Sequence, residues 1–191
     1  IDIIPDRIEA GTFLMAGALL GEIEVKNIIP KHLDKVVHKL RETGCLLKIN
    51  QNSIIITPPE KIKSVDMTTA VYPGFPTDLQ AQWVAIMSLA DGSSVVTDTV
   101  YHDRFSHIPE LSRLGANIKV ENNTAFIRGK NTLVGAPVMS TDIRASASLI
   151  IAALAAKGET QISRVYHIDR GYENIEQKFE GLGGDIRRIS E

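Results

Sequence analysis

The sequence has one cysteine in 191 residues, Cys45, so no internal disulfide can form and a reducing compartment, the cytoplasm, is expected. Cys45 opens an apolar segment with Leu46 and Leu47 and reads as a small buried hydrophobe. No apolar run reaches the length of a bilayer span; the longest candidate, residues 145–156, is short and alanine-rich, so no membrane partner is expected. There is no basic excess: 21 Lys and Arg stand against 23 Asp and Glu, which excludes the electrostatic footprint of a nucleic-acid binder. A Walker loop and a dinucleotide glycine fingerprint are both absent, because Gly181-Leu182-Gly183-Gly184 follows a helical stretch and does not precede one. No His pair has metal-ligand spacing with a carboxylate or thiol at hand, so neither metal nor cofactor is expected. The opening Ile1-Asp2-Ile3-Ile4-Pro5 carries no Met and no basic n-region, and reads as the interior of a longer polypeptide.

What is present is an ordinary globular composition, 43% hydrophobic and 23% charged, arranged in three repeats. Each begins with an acid and an apolar stretch free of proline: Pro5-Asp6-Arg7-Ile8, Thr77-Asp78-Leu79-Gln80 and Thr141-Asp142-Ile143-Arg144 lead into the stretches that end near Gly21, Gly92 and Gly158. Those stretches are apolar on most faces, the pattern of a central buried helix, and the glycines fit helix stops. A β-rich run follows each glycine (residues 22–25, 94–99 and 160–165). An amphipathic helix comes next (31–41, 109–114 and 172–182), ending at Gly44, Gly115 or Gly183. Strand pairs then join through Gln51-Asn52 and Asn122-Asn123, whereas the third repeat stops after one predicted strand, residues 185–189. Its missing partner comes from elsewhere or stays unpaired. The pattern predicts one α/β domain over residues 1–191 with pseudo-threefold symmetry, the repeats covering about 5–58, 76–135 and 140–191, with Pro58-Pro59 and Gly135-Ala136-Pro137 as joints.

Two sets of polar residues recur. Asp6, Asp78 and Asp142 each stand at a helix start, where capping and the helix dipole favour acids. Thr77 to Gln80 even fits a capping box, so capping and a ligand-facing role both remain open for Asp78. Val100-Tyr101-His102-Asp103-Arg104 matches Val165-Tyr166-His167-Ile168-Asp169-Arg170 with one insertion, whereas repeat one has no Asp-Arg pair there. Arg104, Arg144 and Arg170 on equivalent loops would form a cluster suited to phosphate or carboxylate; the alternative is a set of Asp-Arg bridges that pin the loops.

Five segments, in order, resemble the UDP-N-acetylglucosamine enolpyruvyltransferase (1-carboxyvinyltransferase) family: Pro5-Asp6-Arg7-Ile8-Glu9-Ala10-Gly11-Thr12, Phe75-Pro76-Thr77-Asp78-Leu79-Gln80-Ala81-Gln82, Arg104-Phe105-Ser106-His107-Ile108-Pro109-Glu110-Leu111, Thr141-Asp142-Ile143-Arg144-Ala145-Ser146-Ala147-Ser148 and Tyr166-His167-Ile168-Asp169-Arg170-Gly171-Tyr172-Glu173. The likeness is to the C-terminal part of that family. It implies an inside-out α/β barrel lobe of three repeats, completed by the family's extreme N-terminus and facing an N-terminal lobe of the same polypeptide across the active-site cleft. The cysteine and lysine that the family uses on the donor belong to that other lobe, and Cys45 matches neither. The implied reaction moves the enolpyruvyl group of phosphoenolpyruvate to the 3-hydroxyl of UDP-N-acetylglucosamine and releases phosphate, committing the sugar to peptidoglycan. By the same resemblance Asp78, Asp142 and Arg170 are catalytic. Asp78 takes the hydroxyl proton, Arg170 grips the anionic donor, and Asp142 and Arg144 line the cleft. Val100 and Tyr101 meet the sugar nucleotide, and Arg104 is a further charged participant. The lone chain is expected to be inactive. Two rivals remain: a lobe of the sister enzyme acting on shikimate 3-phosphate, and a repeat module that binds a partner without chemistry.

Overall fold

The computed structural model of the chain describes residues 3–189. Three helices with little polar surface occupy its centre. The first, α1 (Arg7–Leu20), starts where Asp6 Oδ1 accepts the Ile8 and Glu9 amides at 2.7 and 3.2 Å, and buries residues 10–18. The second, α3 (Gln80–Met87), follows a 3-10 turn at Thr77–Leu79 and buries all eight of its residues. The third, α5 (Ile143–Ala155), starts at the cap Asp142 and buries residues 145–152. Small residues let these helices approach: a Cβ on Gly11 would collide with the Leu79 side chain. The single tryptophan, Trp83, lies on α3, fully buried, edge-on to Phe75 at 5.5 Å with its indole N–H directed at the Val65 carbonyl at 3.4 Å.

Sheets and amphipathic helices cover this core. In the first repeat β1 (Ile23–Lys26), α2 (Asp34–Glu42), β2 (Leu46–Ile49) and β3 (Ser53–Thr57) give a sheet of order β1-β3-β2, with α2 burying Val36, Val37 and Leu40. Cys45, just before β2, is buried against the Thr43 hydroxyl, and burial pushes its thiol pKa up. The second repeat contributes β4 (Met67–Thr68), β5 (Ser93–Thr97), α4 (Ile108–Arg113), β6 (Asn117–Glu121) and β7 (Thr124–Arg128), with sheet order β4-β5-β7-β6. The third contributes β8 (Pro137–Met139), β9 (Gln161–Ser163), a 3-10 turn at Val165–Arg170 and α6 (Ile175–Gly181). After α2, α4 and α6 the chain turns through Gly44, Gly115 and Gly183 at φ +97°, +92° and +92°, a left-handed stop that glycine adopts without penalty.

The mixed α/β class, with helices inside and sheets outside, and most predicted elements stand; three details differ. Residues 58–76 and 135–140 are more than joints, because β4 pairs parallel with β5 and β8 pairs parallel with β9. Both segments are too short for a two-residue periodicity to register. Gly92 and Gly158 are not helix stops: α3 ends at Met87 and α5 at Ala155, several residues earlier, and both glycines lead into strands. Residues 185–189 form no strand. Their counterparts β2 and β6 each pair with an intervening antiparallel strand, and without one the amides have no ladder to join. Among the described residues the sheets are three separate ones, with no ladder closing them into a barrel.

The three repeats meet in one buried polar cluster. Thr12 Oγ1 of α1 lies 2.7 Å from Tyr172 Oη, and the Gln82 side-chain amide of α3 donates to Thr12 Oγ1 at 3.0 Å and to Tyr172 Oη at 3.3 Å. Burial pushes the Tyr172 hydroxyl up to about 12, so it stays protonated. Gln82 also donates to the Asp78 carbonyl at 3.1 Å, which ties this junction to the turn that carries Asp78. Tyr172→Phe removes the shared partner of Thr12 and Gln82 inside the core. It is expected to cost about 1–3 kcal/mol of unfolding free energy, read from urea denaturation followed by circular dichroism; an unchanged midpoint contradicts a joining role for this cluster.

Candidate functional site

Of the three repeated acids, two are caps and one is not. Asp6 caps α1, and Asp142 Oδ1 accepts the Arg144 and Ala145 amides of α5 at 2.8 and 3.0 Å. Asp78 accepts no helix amide. The capping box expected at residues 77–80 does not form: Thr77 Oγ1 donates to Asp98 Oδ2 at 2.6 Å, and the Gln80 side-chain amide is buried without a hydrogen-bond partner among the described residues. The reason is local geometry, because the 3-10 turn at 77–79 carries the Thr77 hydroxyl away from the first amides of α3.

Asp78 is instead held by two arginines, both on the same oxygen. Arg144 Nε and Nη2 approach Asp78 Oδ1 at 2.9 and 2.8 Å, and Arg104 Nη1 at 3.4 Å. Asp78 Oδ2 accepts nothing among the described residues, and the side chain is 31% exposed. Arg104, 17% exposed, lies over the Tyr101 ring at 4.7 Å. The partners of Arg104 and Asp169 are therefore not their sequence neighbours. Arg104 pairs with Asp78 and not Asp103, whereas Asp169 takes both Nη atoms of Arg188 at 2.9 and 2.6 Å. Arg170 makes no ion pair among the described residues. It lines a cleft of about 660 Å³ with Asp6, Glu9, Tyr172 and Glu173, whereas Arg104 and Arg144 contact Asp78. The two parts adjoin through Gly171, whose Cα faces the Ile143 side chain at the start of α5.

Asp142 reaches the same region from the opposite repeat. Ser106 Oγ donates to its Oδ2 at 3.1 Å. Burial pulls the Asp142 carboxyl up, but the Ala145 and Arg144 amides and the Ser106 hydroxyl outweigh it and hold it below the usual carboxylate range. The amides of Val100 and Tyr101 donate to Asp98 Oδ1 at 3.0 and 2.9 Å, and both side chains are exposed. Two residues here carried no recognisable sequence signal. Asp98 is an acid whose counterpart in the third repeat, judged from strand register, is Arg164. The other is His107, which is buried between Arg104 and Asp142. Burial pushes its imidazole down to about 4; the Asp142 charge and a hydrogen bond to the Arg104 carbonyl oppose this, and the Arg104 charge adds to it.

An imidazole that titrates near 6.5 unfolded and about 4 folded stays neutral in the native state, so the unfolded state binds the extra proton. The stability it contributes is complete above pH 6.5 and is lost as pH falls toward 4, on the order of 3 kcal/mol across the window. Asp142 contributes only at lower pH, below its ordinary 3.8. Urea unfolding at pH 7, 5.5 and 4.5 should therefore show a steeper loss for the native chain than for His107→Gln; equal slopes contradict the neutral buried imidazole.

Comparison with known proteins agrees with the fold. The sequence profile of EPSP synthase (3-phosphoshikimate 1-carboxyvinyltransferase) matches residues 1–179. The chain is 52% identical over 191 residues to the UDP-N-acetylglucosamine 1-carboxyvinyltransferase of Desulfosudis oleivorans, covering all of this chain and 46% of that protein. It is 51% identical over 187 residues to the enzyme of the same name from Myxococcus xanthus, covering 97% of this chain and 44% of that one. Among solved structures, the enolpyruvyl transferase NikO from Streptomyces tendae superposes with a TM-score of 0.86 at 29% identity, over 98% of this chain and 45% of that one. EPSP synthase from Acinetobacter baumannii gives 0.74 at 17% identity, over 99% and 45%, and supports the fold alone. The chain spans about half the length of the curated relatives it matches. With a family profile covering nearly the whole chain and a shared lobe architecture, the chain belongs to the EPSP synthase family of carboxyvinyltransferases.

Proposed function

We propose that this chain is the C-terminal lobe of a two-lobe UDP-N-acetylglucosamine enolpyruvyltransferase. In this reading it acts in the cytoplasm at the entry to peptidoglycan synthesis and works against an N-terminal lobe of the same polypeptide. The observation that carries the reading is the asymmetry of Asp78: all of its cationic contacts fall on Oδ1, and Oδ2 stays open. A general base needs a fixed carboxylate with one lone pair within reach of the substrate hydroxyl. Here Arg144 and Arg104 fix the carboxylate, and Oδ2 is the atom that receives the 3-hydroxyl proton of the sugar as its oxygen bonds to the donor. Arg170, without an ion pair of its own among the described residues, holds the carboxylate or phosphate of phosphoenolpyruvate until phosphate leaves. Asp142 fixes the start of α5, and with it Arg144. The carbonyls around Val100 and the Tyr101 side chain contact the sugar nucleotide.

Identity near 50% to proteins named for UDP-N-acetylglucosamine, against 17% to a solved EPSP synthase, favours the sugar nucleotide over shikimate 3-phosphate. The charged set around Asp78 argues against a binding module without chemistry, which has no need of an open carboxylate between two arginines.

In the two-lobe enzyme, Asp78→Asn should lower kcat by about 10² to 10⁴, the range of one acid–base group, and change sugar-nucleotide binding little. Steady-state kinetics with calorimetric titration of UDP-N-acetylglucosamine decides it; near-normal kcat removes Asp78 from the mechanism. The 191-residue chain alone should fold yet fail to release phosphate from the two substrates, because the donor needs enclosure from both sides. Turnover within about tenfold of the two-lobe enzyme, a barrier gap of about 1.4 kcal/mol, contradicts the two-lobe reading.

A further inference from the structure

Asp98 is a fully buried acid that makes no ion pair among the described residues. Burying a carboxylate is costly unless it is hydrogen-bonded, and Asp98 collects four donors. The Thr69 hydroxyl and the Val100 and Tyr101 amides approach Oδ1 at 2.8, 3.0 and 2.9 Å, and the Thr77 hydroxyl approaches Oδ2 at 2.6 Å. Its backbone is fixed as well: its amide donates to the Asn123 carbonyl and its carbonyl accepts from Asn123 Nδ2, both at 2.9 Å.

These partners belong to three segments; the first and third already share the Thr69–Thr97 and Thr69–Thr99 hydrogen bonds, and among the described residues the Asp98 carboxylate is what adds the Thr77 side chain to them. Thr69 extends β4, Thr77 precedes Asp78 in the 3-10 turn, and Val100 and Tyr101 open the loop that ends at Arg104. Followed in order, the contacts close on themselves. Asp98 holds Thr77; Thr77 is bonded to Asp78; Asp78 Oδ1 meets Arg104; Arg104 stacks on Tyr101; and the Tyr101 amide returns to Asp98. The third repeat solves the same stretch differently. Arg104 lies seven residues beyond Thr97 and Arg170 seven beyond Ser163, the two last residues of their parallel ladders. From Ser163 the chain passes Arg164 at φ +56° and winds a 3-10 turn that hydrogen-bonds to itself. Between Thr97 and Arg104 no such turn forms, and the Asp98 carboxylate supplies the acceptors that the backbone does not.

We propose that Asp98 is the positioning residue for the acceptor half of the site: it sets the separation between Asp78 and the Val100–Tyr101 backbone, and leaves the Arg170 cleft independent. This rests on the reading of Asp78 and Val100 as the sugar-nucleotide side. Asn is the conservative replacement, because its carbonyl can keep the three donors on Oδ1 while its amide faces Thr77, whose hydroxyl can turn to accept. Ala leaves all four donors without a partner.

The test has two arms. In the 191-residue chain, amide hydrogen exchange at Val100 and Tyr101 should accelerate roughly tenfold or more in Asp98→Ala, the scale of one lost hydrogen bond, and stay near native in Asp98→Asn. In the two-lobe enzyme, Asp98→Ala should raise the KM for UDP-N-acetylglucosamine about tenfold or more while the KM for phosphoenolpyruvate moves less than about threefold, with Asp98→Asn restoring both. General loosening of the fold would move both constants together. If Asp98→Ala does not fold, Thr77→Val cuts only the Oδ2 side, and should give the same split with native exchange at Val100. Native exchange in Asp98→Ala, or equal KM changes for the two substrates, overturns the proposal. Asp78→Asn assayed in parallel separates the two ideas: full turnover there sinks the reading of the reaction, whereas the exchange result judges the Asp98 clamp by itself.

Discussion

Three helices with almost no polar face must be covered on every side, and the rest of the architecture answers that demand. Residues 10–18, 80–87 and 145–152 are buried, so α1, α3 and α5 meet water only near their ends. Sheets and amphipathic helices therefore pack around the outside, and polar chemistry is pushed to where the helices begin. Arg144, in the first turn of α5, reaches Asp78 just before α3, so the starts of these two helices adjoin. Helix starts concentrate unpaired amides and positive potential, so a site for anionic substrates and a carboxylate base can be built there from few side chains.

The same demand explains why a polar cluster is tolerated at the centre. Thr12, Gln82 and Tyr172 are buried, one from each repeat, and every bond among them crosses a repeat boundary. An apolar contact can slide by a residue at small cost; a shared hydroxyl cannot. Because Gln82 also holds the Asp78 carbonyl, the register of α1, α3 and the segment before α6 and the position of the candidate base are set together.

The helices, the antiparallel strand pairs and the membership in the family were legible in the sequence because each rests on periodicity or on a run of neighbouring residues. The strands Met67–Thr68 and Pro137–Met139 were not, since two or three residues show no alternation and owe their conformation to the parallel neighbours Ser93–Thr97 and Gln161–Ser163. At the site, Asp6, Asp78 and Asp142 look alike in sequence. What separates them is a 3-10 turn that takes Asp78 off the helix amides and gives its Oδ1 to arginines 26 and 66 residues away. Asp98 and His107 stayed hidden for a related reason, because their meaning lies in burial and in partners brought from other segments. Residues 185–189 read as a strand from composition, but strand formation is a property of a pair.

Trp83 has an optical consequence. It is the only indole in the chain, it is fully excluded from water, and its partners are Phe75 edge-on and the Val65 carbonyl. Its emission therefore comes from one apolar environment at the point where α3 meets its neighbours, with no second fluorophore of its kind to blur the signal. A red shift of that band reports water arriving at the shared core, while changes confined to the Arg170 cleft leave the band where it is.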